Sequence, residues 1–315
     1  MEETTKHRFF PIGSMVASRY EVIDQIGQGG MAIVLKVIDR AIADEVVALK
    51  ILLHQSAKDP ALLARFKNEF LLTKKLAHPN IVQAYDFGEV GDGSHYISME
   101  LVEGETLEEI IDRDEKLSLE DQLKILYQIV AALHFAHQKN VVHRDLKPAN
   151  VFICPDQSVK LMDFGVAFLT TSDLRLTAAE DMVGTPIYMP PEQFSGQAPD
   201  PRNDIYALGM LAYELACGEP PFVHERVEGL QMSKIVTKMV PLKKRNAEVP
   251  HWFQDFVETC AEKNPKDRFQ SMADAGKFLF DRLSDSCSVP CVIGKGFCGY
   301  LSRSPKKSWL RDFLR

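Results

Sequence analysis

The sequence predicts an α+β chain of two lobes, a small β-rich N-lobe with one main helix and a larger helical C-lobe. Three observations carry this. Residues 20–51 read as three short strands, "YEVIDQI", "AIVLKVIDR" and "EVVALKIL", rich in Val, Ile and Leu and separated by glycines or by "AIAD". A single amphipathic segment follows them. Beyond about residue 103 the apolar spacing becomes helical.

Asp59-Pro60 offers an N-cap with proline at the first helical position, ahead of "ALLARFKNEFLLTKKL". "HPNIVQAYDFGE" and "HYISMELV" read as two further strands. Ser118-x-x-Asp121 caps the segment "SLEDQLKILYQIVAALHFAHQKN", in which Leu123, Leu126, Val130, Leu133 and His137 share a face. "NDIYALGMLAYELACG", "VPHWFQDFVETCAEK" and "SMADAGKFLFDRL" are three more expected helices. The expected organisation is an extension at 1–19, a main domain at 20–283 divided into 20–102 and 103–283, and a tail at 284–315.

Composition narrows the function classes. With 45% hydrophobic and 26% charged residues over 315 positions, the chain matches an ordinary globular protein. Its net charge of −7 argues against general nucleic-acid binding. Six cysteines without a CxxC pair are too few for a disulfide scaffold and suit a reducing compartment. The start, "MEETTKHRFFPIGS", lacks the apolar core of a signal peptide. No run approaches the roughly 18 apolar residues of a membrane span. A soluble, cytoplasmic chain is expected.

The chemistry-bearing residues come in separate groups. Gly27-Gln28-Gly29-Gly30-Met31-Ala32 lies between two strands, where glycine lets backbone N–H groups approach an anion; a plain hairpin turn is the other reading. A dinucleotide fingerprint would want a glycine at position 32 and a helix next, and has neither. Lys50 ends the third strand, and Glu69 on the following helix faces inward if Phe66 and Phe70 pack. A partly buried lysine held by a carboxylate keeps its charge and presents it to phosphate. "VVHRDLKPANVF", residues 141–152, buries many polar groups between apolar ends, which is costly unless each finds a partner. Asn150 and Asp163 have the oxygen chemistry of ligands for a hard cation such as magnesium. Asp145 suits a general base, and Lys147 suits charge on a moving phosphoryl group.

"GQGGMAIV", "VALK", "HRDLKPAN", "DFG", "VGTPIYMPPEQ", "DIYALG" and "DRF" occur in order. Over residues 20–283 they closely resemble the eukaryotic-like protein kinase family, and in "GQGGMA" and "PPEQ" its bacterial serine/threonine members. The resemblance implies the two-lobed protein-kinase fold and transfer of the ATP γ-phosphoryl group to protein serine and threonine, with ATP and Mg2+ or Mn2+ bound. It assigns Ile26, Gly27, Gln28, Gly29, Gly30, Met31, Ala32, Ile33 and Val34 to the nucleotide, together with Ala48, Lys50, the gatekeeper Met99, and Glu100 to Val102 at the hinge. It makes Glu69 the partner of Lys50, Asp145 the base, Asn150 and Asp163 the metal ligands, and Thr185 a contact of Asp145 and Lys147. Glu192 and Arg268 become a buried pair, and Asp204 a brace for the catalytic loop. Ala32 and Pro190 depart from the family pattern at a third glycine and an alanine, without touching these residues.

Two other classes stay open: a nucleotide-binding pseudokinase scaffold and a small-molecule phosphotransferase. The complete set Lys50, Glu69, Asp145, Asn150 and Asp163 argues against the first, and "GTPIYMPPEQ" with Arg268 against the second. In the stretch "LTTSDLRLTAAEDM", phosphorylation is expected at Thr177, with Thr170, Thr171 and Ser172 as lesser candidates, and Arg144 is the expected phosphate receptor. The tail, net about +4, sets Trp309, Leu310, Phe313 and Leu314 on one helical face beside its cations. Docking on an anionic membrane or on a partner, or no role, are its readings. Cys287, Cys291 and Cys298 there match no standard zinc spacing.

Overall fold

The computed structural model describes residues 10–113, 117–164, 185–224 and 226–286. Nine strands and ten helices alternate unevenly along them, with the sheet first and the helices after it.

The first lobe is an antiparallel sheet formed by β1 (Met15–Val16), β2 (Tyr20–Gln28), β3 (Ala32–Asp39), β4 (Glu45–Leu52), β5 (Ala84–Glu89) and β6 (His95–Met99), in the order β1-β2-β3-β4-β6-β5. Side chains alternate between its faces. Ile33, Leu35 and Val37 of β3 and Val47, Leu49 and Ile51 of β4 fill one face with Val16, Tyr20 and Tyr96. Each such aliphatic side chain contributes roughly 1.5–3 kcal/mol on full burial. Residues of opposite parity in β4, Ala48 and Leu52, turn to the other face, where Phe66 packs against them. Lys50 lies between these two, so strand parity alone aims it at that face.

Helix α1 (His54–Ala57) leads into α2 (Pro60–Thr73), whose N-cap Asp59 accepts from the Ala61 N–H at 2.8 Å. Phe66 and Glu69 form its buried stripe. Residues 78–83, expected as the start of a strand, instead run across to the other lobe. Val82 N–H donates to Leu161 O at 2.9 Å, and Leu161 N–H to Asn80 O at 2.9 Å. Their hydrogen bonds are taken by a strand far away in sequence, so ladder pairing with β6 begins only at Ala84.

The second lobe opens with β7 (Glu105–Thr106) and α3 (Leu107–Asp112), joined by a capping box between Thr106 and Glu109. Its centre is α4 (Leu119–Gln138), capped by Ser118. The hairpin β8 (Val151–Ile153) and β9 (Val159–Leu161) pairs with β7. After α5 (Pro191–Phe194) comes α6 (Pro201–Cys217), buried along almost its whole length from Asn203 to Ala216. It starts on the cap Asp200 and stops at Gly218, whose φ of 77° suits glycine. Gly209 lets the helix that carries Cys260 approach: a Cβ at 209 would sit 2.6 Å from that of Cys260. Helices α7 (Val227–Val236), α8 (Leu242–Arg245), α9 (His251–Cys260) and α10 (Met272–Ser286) complete the lobe. Helix α7 has no counterpart among the expected elements. Among the described residues no helix is long and apolar enough to cross a membrane.

Candidate active site

The two lobes meet at Lys50. Its Nζ lies 2.7 Å from Glu69 Oε1 on α2 and 2.8 Å from Asp163 Oδ1, just after β9. Burial opposes the charge on Lys50, but Asp163 and then Glu69 outweigh it and raise its pKa. Burial pushes Glu69 up to about 7 against the pull of Lys50. For Asp163 burial acts upward too, yet Lys50 wins and the carboxyl sits below its usual range. An ammonium has three N–H groups, so two carboxylates leave Lys50 one donor for a third anion.

Above Lys50 the chain turns tightly, Gly29 N–H donating to Ala32 O at 2.8 Å. Gln28 and Gly30 belong to this turn, and Ile26 and Met31 are exposed on it. Gly27 packs on Val34, 3.4 Å from its Cβ to the position a Cβ of its own would take. Val34, Ala48, Met99, Val102 and Met162 gather on the Lys50 face of the sheet. Ile33 is a correction to the expected nucleotide set: its side chain is fully buried on the opposite face with Leu35 and Val37, because its parity is opposite to that of Val34. Glu100 N–H is taken by Gln83 O at 2.9 Å, and its carboxylate by Lys160 at 2.5 Å. Behind Met99, beside Glu69 and Asp163, lies a small pocket, partly open to solvent and lined also by Phe70, Val82 and Ile97.

The loop 143–150 is organised from α6. Asp204 accepts from the N–H groups of His143 at 2.8 Å and Arg144 at 2.9 Å, and bonds His137 Nε2 at 2.7 Å. Burial would raise the Asp204 carboxyl; the His137 bond and neighbouring donors lower it. These bonds hold Arg144 at φ 69°, a conformation costly for a side chain of its size. Beyond them, Asn150 Nδ2 donates to Asp145 O at 2.8 Å and Asp145 Oδ2 at 3.0 Å, and Lys147 Nζ is 3.0 Å from the same Oδ2. Asp145, Lys147 and Asn150 therefore form one cluster. Asp163 follows at φ 60°, and the Phe164 ring packs 4.4 Å from that of His143.

With its NH2 committed to Asp145, Asn150 has its amide oxygen to offer a cation, and Asp163 has a carboxylate. No group of three or more His, Cys, Asp or Glu side chains is arranged as a metal site among the described residues. Two oxygen donors with open positions fit a hard cation that also takes phosphate oxygens and water.

A third cluster lies under residues 185–194. Arg268 is fully buried and grips Glu192 at 2.7 and 2.8 Å, while Asn203 Nδ2 donates to the same carboxylate at 2.8 Å. The Arg268 guanidinium lies 4.9 Å from the Tyr206 ring centre. Tyr188 donates its hydroxyl proton to Glu214, whose carboxyl burial raises to about 7. Thr185 begins a single turn with Pro186 and Ile187, but its expected contact with Asp145 and Lys147 lies outside the described residues. So do Thr177, Thr170, Thr171, Ser172 and the three tail cysteines.

Sequence reading missed His137, Tyr188, Glu214 and Lys234. For Lys234 a signal existed: it follows Leu230 by four residues, the spacing of one helical face.

Residues 20–277 match the family model described as "Protein kinase domain". Similar proteins include the serine/threonine-protein kinase PrkC of Bacillus subtilis, 37% identical over 84% of this chain and 40% of that one. The kinase pkn3 of Myxococcus xanthus is 36% identical over 82% of this chain and 48% of its own length. The chain thus spans less than half of these relatives. Among solved structures, the PknI kinase domain of Mycobacterium tuberculosis superposes with a TM-score of 0.69 at 26% identity, covering 87% of this chain and 99% of that domain.

Proposed function

Since this chain belongs to the protein kinase domain family, we propose that it transfers the γ-phosphoryl group of ATP to serine and threonine hydroxyls of proteins. The observation that carries the reading is Lys50 bridging Glu69 and Asp163: strand, helix and loop are already joined, with one donor remaining for phosphate. In this reading the apolar set Val34, Ala48, Met99 and Val102 takes the adenine, and the turn 27–32 covers the phosphates.

Asp145 accepts the proton of the acceptor hydroxyl as its oxygen bonds the γ-phosphorus and the bond to the β-phosphate oxygen breaks, releasing ADP. Asn150 and Lys147 hold the Asp145 carboxylate in place for this, and Lys147 offsets charge on the moving group. Members of the family use ATP with a divalent cation; here Asn150 and Asp163 would hold it, magnesium before manganese, and it would neutralise phosphate charge. The pair Glu192–Arg268 supports the segment that receives a polypeptide, which favours proteins over small molecules as acceptors.

Phosphorylation of Thr177, read by Arg144, and docking of the 284–315 tail on anionic membranes belong to the same proposal. The test is label transfer from γ-labelled ATP to a generic protein, with an Asp145→Asn control. Loss of a general base lowers the rate by about 10²–10⁴. Equal labelling by the control, or labelling of small-molecule acceptors alone, overturns the reading. Thr177→Ala and vesicle sedimentation of full-length against 1–284 protein test the two additions.

A further inference from the structure

Lys234 of α7 is a lysine with 1% of its surface exposed and, among the described residues, no carboxylate among its bonded partners. Its Nζ donates to Pro186 O at 2.8 Å, Ile187 O at 2.5 Å and Met189 O at 2.7 Å. All three donors of the ammonium are thus used, and all on one four-residue stretch that precedes it by 45–48 positions. The ring centres of Phe194 and Tyr206 lie 5.7 and 5.5 Å from the charge, close enough for cation–π attraction. Tyr206 is also the ring over which Arg268 lies, so Lys234 and the Glu192–Arg268 pair share a contact.

Such a group is expensive to bury, and burial pulls its pKa down to about 7. Apolar packing alone would dock α7 here more cheaply. What it would not do is turn three carbonyls of one four-residue stretch toward one point. The stretch concerned is not remote from the chemistry: Tyr188, Met189 and Pro190 line the cavity that opens beside Asp145 and Arg144.

We propose that Lys234 is a positioning residue for the polypeptide acceptor: by binding the carbonyls of Pro186, Ile187 and Met189 it sets the backbone shape of the segment against which the substrate lies. It touches neither the nucleotide site nor Asp145. The inference rests on the protein-kinase reading above and deepens it, by naming α7 as the element that determines acceptor binding.

The test compares wild type with Lys234→Met, which keeps the stem and removes the donors, and with Lys234→Arg, which restores donors and charge. Two quantities are read: KM for a protein acceptor and KM for ATP, each with magnesium. Lys234→Met is expected to raise the acceptor KM about tenfold or more, the equivalent of about 1.4 kcal/mol, with the ATP value moving less than about twofold. Lys234→Arg recovers most of the difference. Independently of activity, amide hydrogen exchange across 186–190 is expected to quicken in Lys234→Met. An unchanged acceptor KM with unchanged exchange overturns the proposal, as does an equal rise in both KM values. If Lys234→Met is isolated unfolded, Lys234→Gln against Lys234→Arg is read in the same way, and equal defects in those two overturn it. Absence of protein labelling by the wild type would overturn the kinase reading instead, while the exchange result would still report on Lys234.

Discussion

Lys50, partly buried, and Lys234, fully buried, lie one in each lobe, and their partners differ in kind. Lys50 meets two carboxylates and retains a donor. Lys234 meets three carbonyls and retains none. The environment drives their pKa values apart, above the usual lysine value for Lys50 and down to about 7 for Lys234. A buried cation with excess countercharge is equipped to bind a further anion. One whose donors are all satisfied by backbone is equipped to hold a shape.

The comparison can be broken first at Lys50. Lys50→Met is expected to lower label transfer by about 10²–10³-fold, the scale of losing one directed electrostatic donor, in single-turnover assays on protein that remains folded by circular dichroism. Turnover near the wild-type rate would mean that the spare donor is not aimed at phosphate. Next comes countercharge itself. Glu192→Gln strips Arg268 of its carboxylate in a fully buried setting, and urea unfolding should show a loss of about 3–5 kcal/mol. Arg268 also donates to the carbonyls of Glu262, Arg202 and Lys263, and a loss under 1 kcal/mol would show that these suffice, as carbonyls do for Lys234.

His78 sharpens the other side of the comparison, burial that lowers a pKa. Its Nδ1 accepts from the Asn80 N–H at 3.1 Å, and its ring packs 5.1 Å from Phe135. Burial, with Lys160 nearby, lowers its pKa from 6.5 to about 4. The unfolded chain therefore binds the extra proton in that window. Stability is fully present above pH 6.5 and drains as pH falls toward 4, at roughly 1.4 kcal/mol per unit at most. Denaturation midpoints of wild type and His78→Gln across this range should converge at the acid end; parallel curves would exclude His78 as the source. The smallest effect is expected at Lys124, which like Lys50 faces two carboxylates, Glu120 at 3.0 Å and Asp121 at 3.2 Å, but at the surface. Lys124→Ala should change stability by no more than about 0.5 kcal/mol. A larger loss would mean that burial is not what separates the two lysines.

Much of the molecule is set by short-range pattern. Alternation in "EVVALKIL" puts Lys50 on the face of Ala48 and Leu52, Asp59-Pro60 and Ser118 start helices where their caps say, and a separation of five residues lets Asn150 bond Asp145. These follow from strand and helix periods and from turn chemistry, which act over a few residues. Helix α7 was hidden for the same reason. Only Leu230 and Lys234 of it are buried, while Met232, Ile235 and Val236 are exposed, so its apolar residues mark no face.

Tertiary structure alone decided the rest. Segment 78–83 left its expected strand because β9 satisfied its backbone. The site is assembled from groups 113 residues apart at Lys50–Asp163, 76 at Glu192–Arg268 and 48 at Pro186–Lys234. The family motifs name most of these residues, but no local period reaches so far. Their meeting depends on which faces can be buried together, and that is fixed only when the helices of the second lobe pack and, for Lys50–Asp163, when the two lobes meet.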